Sequence, residues 1–214
     1  MQPTIVWYTQ SSLRIDAGGL HIYIDPYGVP EGEPPADIIL ISHEHGDHLS
    51  PDDINRVRTG DSVVFASRLS AEKVGGNVQT LLPGDRATVG PLQIRAVHAY
   101  TLTKFRANGE PNHPKENDHL GLILEVDGLT FYAAGDTDVI PEMSTYGPVD
   151  YAFLPVSGRA VMTAEEAAEA VRIIKPSVAV PVHYGSLMGS LDDANRFAEL
   201  VPDDVRVWIM TSSS

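Results

Sequence analysis

Apolar and polar positions along the chain first predict a series of short strands. Residues 5–8, 12–15 and 20–24 read as strands, and Asp16-Ala17-Gly18-Gly19 joins the last two as a hairpin, because glycine accepts the positive φ of a tight turn. Residues 37–42 form a continuous apolar run, Asp37-Ile38-Ile39-Leu40-Ile41-Ser42, the pattern of a strand covered on both faces. A helix is predicted soon after it: Ser50 is a natural N-cap, Pro51 fits the first helical position, and Asp52 and Asp53 suit the positive end of the dipole. Further strands are predicted at 63–65, 78–82, 92–97, 120–126 and 129–133, the last pair joined by Asp127-Gly128.

The final third carries a longer helical pattern. Thr163-Ala164-Glu165-Glu166 is a capping box, Ala167, Ala170, Val171 and Ile174 share one face, and Lys175-Pro176 ends the helix. A strand at 178–182, a helix at 193–200 and a strand at 205–209 complete the pattern. Residues 99–118 show no periodicity, and loops of that length are usually functional or mobile. Many short strands with a few helices between and after them predict a two-sheet core covered by helices.

Composition narrows the chemistry. At 214 residues the chain suits one domain spanning 1–214, with ample material for a core. Its 15 Lys+Arg stand against 29 Asp+Glu, a formal net charge of −14, which repels phosphate backbones and anionic membrane surfaces. Nucleic acid is therefore not expected as a partner. No apolar run approaches the ~20 residues of a membrane span, and residues 1–7 lack a basic-then-apolar leader, so no membrane span and a cytoplasmic location are expected. Cysteine is absent, so any metal must be held by His, Asp or Glu.

The run Ser42-His43-Glu44-His45-Gly46-Asp47-His48-Leu49 puts three histidines and an aspartate within six residues. His43 and His45, two apart where a strand ends, project to the same side and can share a metal. Gly46 lets the backbone turn closely, aiming Asp47 and His48 at a neighbouring position. Downstream, His98, Asp136 and His183 each follow an apolar run. Together they supply a third nitrogen for one metal, a nitrogen for a second, and a carboxylate able to bridge both.

The set His43-x-His45-x-Asp47-His48, His98, Gly135-Asp136-Thr137 and His183 resembles the metallo-β-lactamase superfamily over nearly the whole chain. Pro155-Val156-Ser157-Gly158, Met162 to Ala167, Ile174-Lys175-Pro176 and Pro181-Val182-His183-Tyr184-Gly185 are similar to a subgroup of small metal-dependent hydrolases. That subgroup includes ascorbate-phosphate lactonase and the phospholipase D that acts on N-acyl phosphatidylethanolamine. Where relatives often read Gly-His-Ser near the start, this chain has Thr9-Gln10-Ser11.

The resemblance implies a four-layer αββα sandwich. It implies one metal on His43, His45 and His98, another on Asp47, His48 and His183, Asp136 bridging, and Asp25 supporting the histidine motif from behind. The two divalent ions would be zinc, or manganese or iron, since the ligand set is all nitrogen and oxygen. A metal-bound hydroxide would attack an ester, lactone or phosphodiester of a small substrate, with Asp47 orienting the water. His119, Arg159 and Tyr184 are candidate substrate contacts, and Lys104 and Arg106 could also receive an anionic group. Small members of the superfamily often self-associate, so a homo-oligomer is possible. Two other readings stand beside the hydrolase: a non-enzymatic metal-binding scaffold or regulator, and a redox di-iron protein. The second calls for a carboxylate where this chain has His45.

Overall fold

The computed structural model describes residues 3–213. Its first sheet contains β1 (Thr4–Trp7), β2 (Leu13–Ala17), β3 (Leu20–Ile24), β4 (Ile38–Ile41), β5 (Val63–Ser67) and β6 (Gln79–Leu81), lying side by side in chain order. The second contains β7 (Arg86–Val89), β8 (Leu92–His98), β9 (Leu120–Val126), β10 (Leu129–Ala133), β11 (Tyr151–Pro155), β12 (Val178–Val182) and β13 (Arg206–Val207), again in sequential order. Helices α1 (Pro51–Val57) and α2 (Arg68–Val74) follow strands of the first sheet, and α3 (Ala164–Ile174) and α4 (Leu191–Leu200) follow strands of the second.

Two apolar cores make this a four-layer sandwich. The larger joins the facing sides of both sheets to α3 and α4 through residues such as Ile38, Leu40, Leu122, Phe153, Val171 and Phe197. The smaller packs Ile54 and Val57 of α1 against Ile39, Ile41, Val64 and Ala66. Successive residues of β4 thus enter different cores, and all four are buried. That is why its sequence is uninterrupted apolar rather than alternating. The αββα expectation is met.

Local signals fold as read. Ser50 caps α1 by accepting from the Asp53 N–H, and Thr163 with Glu166 forms the capping box of α3. The Gly18-Gly19 and Asp127-Gly128 turns all have positive φ. Three elements go beyond that reading. The edge strand β7 reads Arg-Ala-Thr-Val and is only partly buried; α2 is a short, largely polar helix continuing directly from β5; β11 is a buried apolar run of five residues ending in Pro155. Among the described residues, no helix is long and apolar enough to cross a membrane.

Parallel pairing fixes where the polar segments emerge. β3, β4 and β5 run parallel, as do β10, β11 and β12. The segments carrying His43, Asp136 and His183 follow the C-terminal ends of β4, β10 and β12. Beyond Tyr100, which joins the larger core, residues 99–118 are ordered mainly by specific bonds. Ala99 N–H donates to His119 O, Thr101 N–H to His113 O, and His113 N–H to Thr101 Oγ1. Asp138, 2% exposed, accepts from the N–H groups of Leu102 and Thr103 and from Thr103 Oγ1. Lys104 Nζ then links Asp138, at 3.3 Å, to Glu166 of α3, at 2.7 Å.

Asp138 is consequently the anchor of this loop. Asp138→Ala leaves the Leu102 and Thr103 N–H groups without their acceptor and removes one of the two carboxylates on Lys104, and should cost about 2–4 kcal/mol. Urea unfolding should show the loss, and hydrogen exchange should speed up at residues 101–104 with little change in α4.

Candidate metal centre

Seven side chains converge between the strand ends. His43, His45, His113 and Asp136 present atoms within 4.8 Å of one another, and so do Asp47, His48 and His183. His43 Nε2 lies 3.1 Å from His45 Nδ1, and His113 Nε2 lies 3.2 Å from that same atom. Asp136 links the groups: Oδ2 is 3.3 Å from His113 Nε2 and 3.4 Å from His183 Nε2, while Oδ1 is 3.2 Å from His48 Nε2. Asp47 Oδ2 lies 3.4 Å from His183 Nε2.

His98 is not in this cluster, contrary to the expectation drawn from its position after an apolar run. β8 is next to last in its sheet, two strands from β10, and His98 pairs with Leu120 of β9. Its side chain lines a separate cavity with Pro83, Gly84 and Glu142. The chain must continue into the 99–118 loop and fold back before a histidine reaches the site, and that histidine is His113. The only signal available for it was a histidine within the one long aperiodic segment, 99–118.

Partners behind the cluster fix which nitrogen faces inward. Asp25 accepts from Ser42 N–H and Ser42 Oγ, each at 2.6 Å, and from His48 Nδ1 at 2.8 Å. Ser42 Oγ is 3.0 Å from His43 Nδ1. His113 Nδ1 donates to Ala160 O at 3.1 Å, and His183 Nδ1 meets Ser157 Oγ at 3.2 Å. With Nδ1 engaged, Nε2 of these four rings is turned to the centre; His45 alone presents Nδ1. Asp25 thus bonds Ser42 and His48 from the side away from the centre. Gln10 Nε2 lies 3.4 Å from Asp47 Oδ2, and its carbonyl accepts from His183 N–H, so it bears on two members of the cluster.

Left-handed backbone recurs here. Gln10, Asp25 and His183 have φ of 47°, 46° and 60°, a region that few non-glycine residues adopt. Gly135, at φ 63°, precedes Asp136, and a Cβ there would fall 2.5 Å from Leu120 O. Only glycine lets the segment before Asp136 pass this close to β9.

Burial and charge act in opposite directions on the cluster. Burial, then the neighbouring His48, keeps His43 well below the usual histidine pKa. Burial, then His113, lowers His45 to about 4. For His183 burial is overcome by Asp136 and Asp47, which push it up to about 9. His48 is likewise raised, burial being outweighed by Asp136 and Asp25. Asp136 is held well below the carboxylate range despite burial, by His183 and His48. Asp47 falls to about 2, burial being outweighed by its His183 contact.

These residues suit divalent ions. His48 Nε2, His183 Nε2 and Asp136 Oδ1 are buried atoms without a hydrogen-bond partner, an expensive state for polar groups that all face one centre. Their donor set, imidazole nitrogen with carboxylate oxygen, matches zinc, manganese or iron.

A cavity of about 420 Å³ opens onto the cluster, lined by His45, Asp47, His113 and Asp136 and walled by Phe105, Arg106, Asn112, Arg159, Ala160 and Met188. Arg159 lies where a substrate contact was expected. His119 and Tyr184 do not. His119 is 2% exposed and sits behind the cluster, its ring 4.9 Å from His43 and its Nε2 3.1 Å from Glu44 Oε2. Tyr184 is 4% exposed, stacks on Trp7 at 4.9 Å and directs its hydroxyl to Met210 O. Lys104 is occupied by Asp138 and Glu166.

Residues 4–183 match the family model described as beta-lactamase superfamily domain. A UPF0173 metal-dependent hydrolase of Thermococcus kodakarensis is 34% identical, with 90% of each chain covered. A crystal structure from Parabacteroides distasonis, of a protein described as a metal-dependent hydrolase, shares 36% identity at TM-score 0.88, covering 99% of this chain and 94% of that one. Igni18, a metallo hydrolase of Ignicoccus hospitalis, shares the fold at TM-score 0.76 and 23% identity, covering 99% and 96%. With its four layers and its histidine–aspartate cluster between the strand ends, the chain belongs to the metallo-β-lactamase superfamily.

Proposed function

We propose that the protein is a metal-dependent hydrolase holding two divalent ions, with zinc the first choice, and cleaving an ester, lactone or phosphodiester of a small anionic substrate. His43, His45 and His113 would hold one ion; Asp47, His48 and His183 the other; Asp136 would serve both. The observation that carries this reading is a set of buried imidazole and carboxylate atoms turned to one centre, with Asp136 in contact with histidines of both groups: His113 of the first, His48 and His183 of the second. Ions bound there lower the pKa of coordinated water towards about 7 and counter the charge of an oxyanion.

The chain's own residues supply orientation and selection. Asp47 borders the cavity and remains ionised, so its carboxylate orients the attacking water by accepting a hydrogen bond. Asp25 and Ser42 hold the His43 and His48 rings at fixed angles, and Gln10 steadies Asp47. At the mouth, Arg106 and Arg159 reverse locally the field of an otherwise acidic chain. Arg159 has no hydrogen bond or ion pair among the described residues, which leaves its fork free for a carboxylate or phosphate of the substrate. Phe105, 57% exposed, and Met188 offer an apolar wall beside it. An imidazole at position 45 favours this hydrolase over the redox reading, and the open cavity favours it over a scaffold.

Metal analysis tests the ligand sets. Under replete conditions the protein should carry up to two transition-metal ions per chain. Asp136→Ala and His113→Ala should each lose at least half of that content, whereas His98→Ala should retain it, as measured by plasma mass spectrometry on folded protein. Retention by His113→Ala with loss by His98→Ala would overturn the assignment.

Kinetics on an ester, lactone and phosphodiester panel separate the remaining roles. His43→Ala should lower kcat by about 10³-fold or more, an effect expected when electrostatic stabilisation of the transition state is lost. Arg159→Gln should raise KM about 10-fold or more with kcat nearly unchanged, since it removes binding common to ground and transition states. His119→Ala should act chiefly on stability and metal content rather than on KM.

A further inference from the structure

A second basic feature lies on the second sheet, among residues outside the histidine cluster. Arg86 of β7 and Arg95 of β8 are direct cross-strand partners in an antiparallel pair. Side chains at such positions share a face, and like charges there are destabilising. The acidic composition makes the pairing more notable, because carboxylates outnumber bases 29 to 15 and yet neither arginine has an ion pair among the described residues. The Arg86 side chain makes no hydrogen bond among the described residues. Arg95 donates one, from Nη2 to Thr145 O at 3.1 Å, while its Nε is buried without a partner.

Both arginines line a groove of about 320 Å³ between the sheet and residues 145–148, with Thr88, Gln93 and Thr130 along its floor. An adjoining cavity of about 300 Å³ shares Arg86, Arg95, Thr145 and Tyr146 and adds His98. Two carboxylates border these spaces. Glu142 is taken by Lys115 Nζ at 2.7 Å and Tyr100 OH at 2.9 Å, and Glu125 forms no ion pair with either arginine. None of the lining residues belongs to the cavity over the histidine cluster.

We propose that this groove is a second ligand site, which binds the phosphate group of a small molecule between the Arg86 and Arg95 guanidinium groups. A dianion with three terminal oxygens relieves the cross-strand repulsion by accepting from both guanidinium groups. The hydroxyl and amide groups of Thr88, Gln93 and Thr130 offer neutral contacts for the remainder of the ligand. His98, which the sequence placed at the metal centre, borders this site instead.

The test uses inorganic phosphate as the probe on zinc-loaded, ¹⁵N-labelled protein, because chemical-shift mapping separates the two regions. Saturable shifts are expected at residues 84–98 and 145–148, in addition to any at 43–48 and 113. Arg86→Gln, an exposed edge-strand change, should weaken the first set about 10-fold or more and leave the second set unchanged. Arg159→Gln should do the reverse. Shifts confined to residues 43–48 and 113, no saturable shifts at all, or an Arg86→Gln protein titrating like the parent would each overturn the proposal.

Discussion

A buried carboxylate surrounded by imidazole is the interaction on which this molecule depends. Asp136 is 3% exposed, yet it stays ionised because His48, His113 and His183 place nitrogens within 3.4 Å of its oxygens. A lone charge at that depth would be prohibitively costly, and pairing it with histidines from distant parts of the chain ties those parts together. His48 arrives after β4, His183 after β12 and His113 from the long loop. The two sheets are thus fastened by polar contacts at one edge as well as by apolar packing between their faces.

That arrangement explains why supporting hydrogen bonds are as ordered as the cluster itself. Asp25, with positive φ, reaches past Ser42 to His48; Ser157 and Ala160 orient His183 and His113 from the segment after β11. Each ring is held through the nitrogen that does not face the centre. The left-handed backbone at Gln10, Asp25 and His183 is tolerated because neighbouring bonds over-determine those positions.

Much of the fold was legible in the sequence because the relevant forces are local. The unbroken apolar run of β4, the glycine turns, the Ser50 cap and the Thr163–Glu166 box each write one element's physics into a few neighbouring residues. Six of the seven clustered residues were legible for the same reason: each follows an apolar run that ends at the active edge. His113 was not, since its place depends on how residues 99–118 fold back, which is set by Asp138, Lys104 and Glu166 contributed from elsewhere. His119 and Tyr184 were misread for a related reason. Proximity in sequence to a ligand says nothing about which side of it a side chain occupies, and both turn into packed surroundings.

The loop's double duty has an evolutionary consequence. Phe105, Arg106 and Asn112 shape the cavity, and His113, one residue further on, belongs to the cluster beneath it. Wall and floor are therefore not independent modules. Any insertion or deletion that remodels the wall also shifts the register of His113 against Asp136. The opposite wall is tied to the floor as well, because Ala160, next to Arg159, holds the His113 ring through its carbonyl, so a new specificity is reached most freely by exchanging side chains with the backbone path kept.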